Sequence, residues 1–417
     1  MRILAVYRHY WPDSTPYARI LRTILEHLSA AGHQTAVFTA QPGYNGVRHL
    51  QQPWRETLGG VDVRRMQLLS KWKRWRVARA LDWAYFLLWA VMHAVAGQKY
   101  DLIITNSHPP ILMGCALRLI RKLRGTPYIY HCQDLHPESA AQAGDLGRSW
   151  LYRLLLRWDT SACRNAQRVV VLSQDMAESL EQRGLATANV SVINNPPLSV
   201  DSATQPILPS PLDETTDAVR FLFAGNLGRF QSLDRLVAAA HVVPEHVCFQ
   251  LIFMGEGDAK HALIAQAGNL LGRRIIFVPH QPVETALAAM RECDFGVVSL
   301  LAEVYRYAYP SKSMMYLSAG CPLLALIEPE SELSRTVEQH ELGYVAASHS
   351  IADIAEAMVR AVGESGRWTP QRRDSVAQTC QRIFGQSQML AAWDRIIAGE
   401  LPGTTAGEHG DRATQAA

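Results

Sequence analysis

The sequence predicts an α/β protein made of two doubly wound domains, and three observations carry that prediction. Short apolar runs alternate with amphipathic helical patterns from the first residues onward. A break near the middle, with Pro196, Pro197, Pro206, Pro209 and Pro211 among Ser, Thr and Asp, interrupts the alternation. Beyond it the alternation restarts, and 417 residues are enough for two separate cores.

In order, Ile3–Tyr7 reads as a strand. Thr15-Pro16 then caps a helix whose apolar face is Ile20, Leu21, Ile24, Leu25 and Leu28, and Gly32 ends it. Strands Thr35–Thr39, Leu102–Thr105, Tyr128–His131, Val169–Leu172 and Val190–Ile193 follow, with helical patterns between most of them. After the break come strands Arg220–Ala224, Phe249–Met254, Ile275–Val278, Phe295–Ser299 and Leu323–Leu326. Helices are expected at Ser232–Ala240, Asp258–Ala267, Val283–Arg291, Ser331–His340 and Ile351–Val362. The domains are therefore 1–193, a linker at 194–217, 218–370, terminal helices at 371–398 and a disordered tail at 399–417.

Apolar residues make up 48% and charged residues 19% of the chain, an ordinary soluble composition, and a net charge of +3 gives no global reason to expect nucleic acid. Seven scattered Cys without a Cys-x-x-Cys spacing predict neither a zinc site nor a disulfide framework. Met1-Arg2 leads directly into a strand rather than a signal peptide, so a cytoplasmic protein is expected.

Charge is uneven, however: Arg64–Arg79 holds seven basic residues and no acid, with Trp72 and Trp75 among them. The apolar run Leu81–Ala96 falls short of the ~20 residues a spanning helix needs. It reads either as a buried core helix or, with Lys71–Arg76, as an interfacial segment on an anionic membrane surface over 71–92. The tryptophans favour the second reading, because a solvated charge run does not need them.

Four segments carry chemistry. Around Tyr309–Ala325, a loop with Pro310, Ser311 and Lys312 opens a short helix that stops at Gly320, offering amides and one cation to an anion. Phe221–Arg229 is a strand running into the glycine turn Gly225, Asn226, Gly228, where backbone can approach a phosphate closely. The spacing is not that of a dinucleotide fingerprint. Gly255, Glu256 and Gly257 form a second tight turn. His131–Ser139 ends a strand and holds two carboxylates, Asp134 and Glu138. These could be a glycosidase acid/base pair, a turn cap, or ligands for sugar hydroxyls.

These segments resemble the family 4 glycosyltransferases, retaining enzymes of the GT-B fold. The Pro310–Pro322 run is similar to their signature, and Gln133–Ser139 looks like their Gln-Asp-Leu-Trp-Pro-Glu-Ser segment, with His136 for the usual Trp. Gly225–Gly228 resembles their Gly-Asn-Leu-Gly element, with Phe230 and Ser232 where Lys and Gly are usual. The resemblance spans Arg2 to about Ile397. It implies two Rossmann-like domains facing a cleft, with a C-terminal helix crossing back to the first through Leu390, Trp393, Ile396 and Ile397.

It further implies transfer of a hexose, without metal or cofactor, from a nucleotide sugar to a saccharide or polyprenyl-linked acceptor. The setting would be bacterial surface polysaccharide assembly, peripheral on the inner face of the plasma membrane. By the same resemblance, Asp134, Glu138 and Lys312 serve catalysis. Gly225, Asn226, Gly228, Arg229, Gly255, Glu256, Pro279, His280, Ser311, Lys312 and Met315 bind the donor, and His9, Trp11, Asp13, His131 and Gln133 the acceptor. Asn195 ties the hinge. One departure stands out: relatives carry two Glu where Tyr307 and Met315 stand here, and a thioether is a poor acceptor for ribose hydroxyls. Two rival readings follow, a non-catalytic sugar-nucleotide-binding partner of another transferase and a non-hydrolysing sugar-nucleotide epimerase.

Overall fold

The computed structural model describes residues 1–400 except 14, 44–50, 70–75, 143, 145, 148, 199–206, 215 and 229–230. Side chains at 76–79 are also outside the described set. So are Trp72, Trp75, Arg229, Phe230 and the expected disordered tail from residue 401.

The first half builds one eight-stranded sheet. β1 (Arg2–Val6) leads through α1 (Pro16–Ala30) to β2 (Gln34–Ala40), then to a hairpin of β3 (Arg55–Leu58) and β4 (Val61–Met66). α2 (Arg76–Ala96), β5 (Leu102–Asn106), α3 (Leu112–Arg124) and β6 (Tyr128–His131) follow. α4 (Glu138–Gln142), α5 (Trp150–Asn165), β7 (Arg168–Val171), α6 (Gln174–Gln182) and β8 (Val190–Val192) complete it. The strand order is β3-β4-β2-β1-β5-β6-β7-β8, parallel throughout except for β3. That hairpin is absent from the sequence reading, so the basic run from Arg64 begins inside a strand. The hairpin is half-polar, with β3 at the sheet edge and β4 beside it.

The second half builds a six-stranded parallel sheet, in the order β11-β10-β9-β12-β13-β14. β9 (Val219–Ala224), α7 (Leu233–Val242), β10 (Phe249–Met254), α8 (Lys260–Ala267), β11 (Ile275–Val278) and α9 (Val283–Glu292) come first. β12 (Phe295–Ser299), α10 (Lys312–Ser318), β13 (Leu323–Leu326), α11 (Glu332–Gln339), β14 (Gly343–Val345) and α12 (Ile351–Gly363) follow. Central strands β5, β9 and β12 are buried along their whole length, as expected where helices cover both faces.

The cap expected at Thr15 forms: Thr15 accepts from the Ala18 amide ahead of Pro16. A second, not read from the sequence, has Thr369 accepting from the Arg372 amide ahead of Pro370. The two terminal helices, however, divide. α13 (Pro370–Phe384) stays on the second domain, where Cys380 meets the Met314 carbonyl of α10, and only α14 (Gln386–Ile397) returns to the first. Trp393 of α14 is fully buried among α1 and β-sheet side chains, and His27 pairs with Asp394 at 2.9 Å. The break at Gly385 explains the split, because it turns one amphipathic stretch into two helices with separately directed faces.

Candidate active site

A cavity of about 490 Å³ opens between the carboxyl ends of the two sheets, where ligands of doubly wound folds sit. Asp134, His136 and Ser139 line it from the first domain. Phe223, Gln231, Ser299, Tyr309, Ser311 and Lys312 line it from the second. The domains touch at its rim: the Leu135 amide donates to the Tyr307 carbonyl at 2.7 Å, and Ser179 Oγ donates to the Arg306 carbonyl at 2.8 Å.

Lys312 is placed by the core beneath it. One turn on, the Tyr316 hydroxyl donates to the Leu222 carbonyl at 2.9 Å and accepts from the Ala224 amide at 2.7 Å, which pins α10 to β9. Gly296 makes room, since a β-carbon there would lie 2.2 Å from the Tyr316 ring. Lys312 Nζ is buried without a hydrogen-bond partner and stands 3.9 Å from the Phe223 ring centre. Burial lowers its pKa from the ordinary value to about 7. An uncompensated buried ammonium is a site prepared for an anion.

The two glycine turns interlock beside it. Gly225 has φ +130°, and a β-carbon there would sit 2.5 Å from Lys312 Cε; Gly255, at φ +153°, lies against the Gly225 carbonyl. The Gly228 amide donates to Gln231 Oε1 at 3.0 Å, so Gln231 holds a donor that the sequence reading assigned to phosphate. Asn226 is exposed, as are Ser311, Pro279 and His280. Glu256 departs from its expected place: its carboxylate pairs with Lys260 at 2.7 Å on the surface of α8's first turn. Met315 also points elsewhere, its sulfur lying 3.3 Å from the Leu198 amide in the linker. It packs against the hinge because α10's inner face is taken by Met314 and Tyr316.

On the opposite wall, Asp134 follows β6. Its side chain opens to the cavity yet protein surrounds it, and that desolvation raises its pKa to about 6. His136 shares the wall, with Nδ1 2.9 Å from Ser139 Oγ. Burial first, then the charges of His108 and Arg183, lower its pKa to about 4, leaving a neutral imidazole at pH 7. Glu138 does not join them. Both its oxygens face Arg183, with Nε at 2.8 Å and Nη2 at 2.5 Å, and Arg183 also holds Asp159 at 2.7 Å. Burial alone would lower the Arg183 pKa, but the two carboxylates override it and hold it above its ordinary value. Glu138 therefore braces the loop that carries Asp134, and the acid/base-pair reading of the two carboxylates loses one member.

The expected acceptor residues scatter. His131 is buried against Tyr17 and Trp393, edge to face at 5.3 and 5.4 Å, so it cannot meet a substrate. Strand alternation alone could not reveal that α14 covers that face. Desolvation lowers its pKa to about 3, and its Nε2 lies 2.9 Å from Gln133 Nε2. Gln133 in turn accepts from Asn195 Nδ2 at 2.6 Å, so the pair belongs to the hinge and Asn195 binds a side chain there. Asp13 is buried, held by His9 Nδ1 at 2.6 Å and the Gly43 amide at 3.0 Å. Trp11 is exposed beneath Arg22, whose guanidinium is 4.8 Å from the ring. None of His9, Trp11 and Asp13 lines the cavity.

Three participants went unread in the sequence. Ser299 and Gln231 line the cavity and are joined by a 2.6 Å hydrogen bond from Ser299 Oγ to the Gln231 carbonyl. Ser299 ends β12, and its place at a strand's carboxyl end was the available signal. Arg183 carried none, since an Arg at a helix end is common and its partners lie 24 and 45 residues away. Among the described residues, no group of three or more His, Cys, Asp or Glu side chains gathers as a metal cage.

Comparison with known proteins agrees with this arrangement. Residues 17–196 match the glycosyl transferase 4-like domain, and residues 218–364 match the glycosyl transferases group 1 domain. The chain is 25% identical over 293 residues to a probable glycosyltransferase, WbjE, of Pseudomonas aeruginosa, covering 66% of this chain and 71% of that one. It is 25% identical over 353 residues to a putative colanic acid biosynthesis glycosyl transferase, WcaI, of Escherichia coli (strain K12), covering 81% and 86%. Among solved structures, sucrose-phosphate synthase from Thermosynechococcus elongatus aligns with a TM-score of 0.70 at 18% identity, over 95% of this chain and 98% of that one. WaaG, a glycosyltransferase involved in lipopolysaccharide biosynthesis, aligns at 0.63 and 15%, over 95% and 100%. Both place the two sheets in the GT-B fold.

Proposed function

Because the chain belongs to the family 4 glycosyltransferases and carries both of their domains in succession, we propose a retaining, metal-independent transfer of a hexose from a nucleotide sugar to a lipid-linked saccharide. The setting of bacterial surface polysaccharide synthesis accords with the similarity to WcaI, a putative colanic acid biosynthesis glycosyl transferase. The single observation that carries the reaction is Lys312: a buried, unpaired amine on the second-domain wall, across one cavity from Asp134.

The donor diphosphate lies against Lys312 and the interlocked turns at Gly225 and Gly255. Gln231 swings aside from the Gly228 amide to release it to a phosphate oxygen. The acceptor hydroxyl approaches the anomeric carbon on the face the diphosphate leaves. The bond from that carbon to the phosphate oxygen breaks, the bond to the acceptor oxygen forms, and the departing phosphate takes the acceptor's proton. Negative charge thus grows on the diphosphate, where Lys312 becomes fully charged and one well-placed donor is worth about 2.7–4 kcal/mol. Asp134 orients sugar hydroxyls and no strong side-chain base is required. With Met315 turned to the hinge, ribose hydroxyls meet no carboxylate from α10.

The enzyme works peripherally on the inner membrane face, held in part by the basic, tryptophan-bearing stretch at 71–92. Nucleotide sugars are screened by thermal shift, where a ligand at a hundred times its dissociation constant stabilises by about 2.7 kcal/mol. Stabilising donors are then assayed for nucleoside diphosphate release. Release only with acceptor present, with the same anomeric configuration in product and donor and no loss on adding chelator, is the expected result. Abolition by chelator removes the metal-independent reading.

A further inference from the structure

The first domain turns a broad apolar face outward on three neighbouring helices, with α3 packed between α2 and α5. On α2, Leu81, Leu88, Trp89 and Met92 are exposed, and the spacing 81, 85, 88, 92 puts them with Tyr85 on one stripe without a charge. On α3, Leu112, Leu119 and Leu123 fall on one stripe and are exposed. On α5, Trp150, 70% exposed, joins Leu151 and Trp158. Soluble proteins seldom leave so many large apolar side chains exposed on adjoining helices without an occupant.

Charge says which occupant. The only acids in these three helices, Asp82 and Asp159, are both buried. Arg118, Arg121 and Lys122 of α3 and Arg153 and Arg157 of α5 are exposed beside the apolar stripes. Asp159 is the partner of Arg183 and so faces inward. Among the described residues of these helices the exposed charges beside the apolar stripes are basic, which matches a bilayer of anionic lipids, whose headgroups meet the Arg and Lys while Trp and Leu enter the acyl boundary.

We propose that α2, α3 and α5 together form the membrane-docking face, with α3 and α5 contributing as much as the stretch at 71–92. This rests on the peripheral-membrane reading above and extends it to residues that reading did not include. The face also has a direction. Leu112 and Trp150 stand in the first turns of α3 and α5, on the loops that follow β5 and β6. Those loops lie at the carboxyl edge of the sheet, the edge that carries Asp134 and the cavity. Docking there sets the cavity mouth close to the lipid surface, where an acceptor on a membrane-embedded carrier arrives.

The test is co-sedimentation of the full chain with vesicles of phosphatidylglycerol and phosphatidylcholine, against phosphatidylcholine alone. Three variants are compared: Leu119→Glu with Leu123→Glu on α3, Arg153→Glu with Arg157→Glu on α5, and Trp72→Ala with Trp75→Ala. The wild type is expected to partition onto the anionic vesicles only, and both helix variants to lose about tenfold or more in partition at an unchanged melting temperature. Should the leucine variant melt lower, the arginine variant decides alone. Release by the tryptophan variant with full retention of both helix variants overturns the three-helix face and leaves the 71–92 reading standing. A wild type that ignores anionic vesicles removes both. A wild type that dimerises with rising concentration, made monomeric by the leucine substitutions, reassigns the face to self-association.

Discussion

Lys312 holds its Nζ 3.9 Å from the centre of the Phe223 ring, with no carboxylate to meet it. The aromatic face offsets part of the cost of burying the cation, and the rest stays uncompensated until an anion arrives. Replacing Lys312 by Met therefore removes a strained charge as well as a catalytic one. Turnover is expected to fall about 10²–10³-fold, while the melting temperature stays level or rises. Equal loss of both would remove the assigned role.

The same amine makes donor binding depend on pH. Its folded pKa of about 7 lies below the ordinary 10.5 because of burial. Between those values the unfolded chain binds a proton that the folded chain lacks, so stability contributed by this group rises as pH climbs through that window. Diphosphate binding favours the charged amine. Above pH 7 binding should take up close to one proton and weaken by up to about tenfold per pH unit. Calorimetry at pH 8.5 in two buffers of different ionisation enthalpy reads the uptake directly, and its absence there would count against Lys312 as the phosphate ligand.

Asp134 and Glu138, four residues apart, should respond in opposite ways. Asp134 has a folded pKa of about 6, above its ordinary 3.8. Desolvation by the protein around this cavity-facing carboxylate therefore disfavours the folded state increasingly as pH rises from 3.8 through 6, and by a constant amount above that. Asp134→Asn should abolish most transfer and raise the melting temperature at pH 7.5. Glu138→Ala leaves Arg183 half-paired in the interior and should cost about 3–5 kcal/mol, read by urea unfolding.

Ser232 sits at φ +47°, a left-handed backbone that suits glycine. A left-handed backbone costs a side-chain-bearing residue about 1–2 kcal/mol, against about 0.5–1 kcal/mol for the extra freedom glycine has when unfolded. Ser232→Gly should therefore stabilise the protein by a fraction of a kcal/mol, visible as a small rise in the urea midpoint.

Much of this fold was open to reading from the chain because its signals are local. Apolar runs marked every long strand except β4, and Thr15-Pro16 marked a helix start. The glycine turn at Gly225 and the Pro310–Lys312 loop were legible because phosphate chemistry imposes a short-range pattern on backbone. What escaped depends on partners far away in sequence. His131 looked available on its strand, yet Trp393, 262 residues later, closes over it. Glu138 looked catalytic until Arg183 claimed both its oxygens. The hairpin of β3 and β4 escaped because β3 is a short polar edge strand and β4 carries Asp62, Arg64 and Arg65 among its apolar residues.

Trp393→Ala tests the weight of that distant contact. The indole is fully buried against His131 and α1, and its removal leaves a large void. A loss of about 3–5 kcal/mol is expected, with α14 becoming susceptible to proteolysis while α13 stays protected.

The return of α14 also imposes an order on synthesis. The first domain is translated before the second, but the side chain that seals its interior emerges only after the whole second sheet has been made. Until the ribosome has delivered Gln386–Ile397, the nascent amino-terminal sheet exposes an oily seam beside β1 and β6. The first domain thus gains its finished shape only once α14 is made, and a message cut short before Gln386 yields a product that chaperones would have reason to retain.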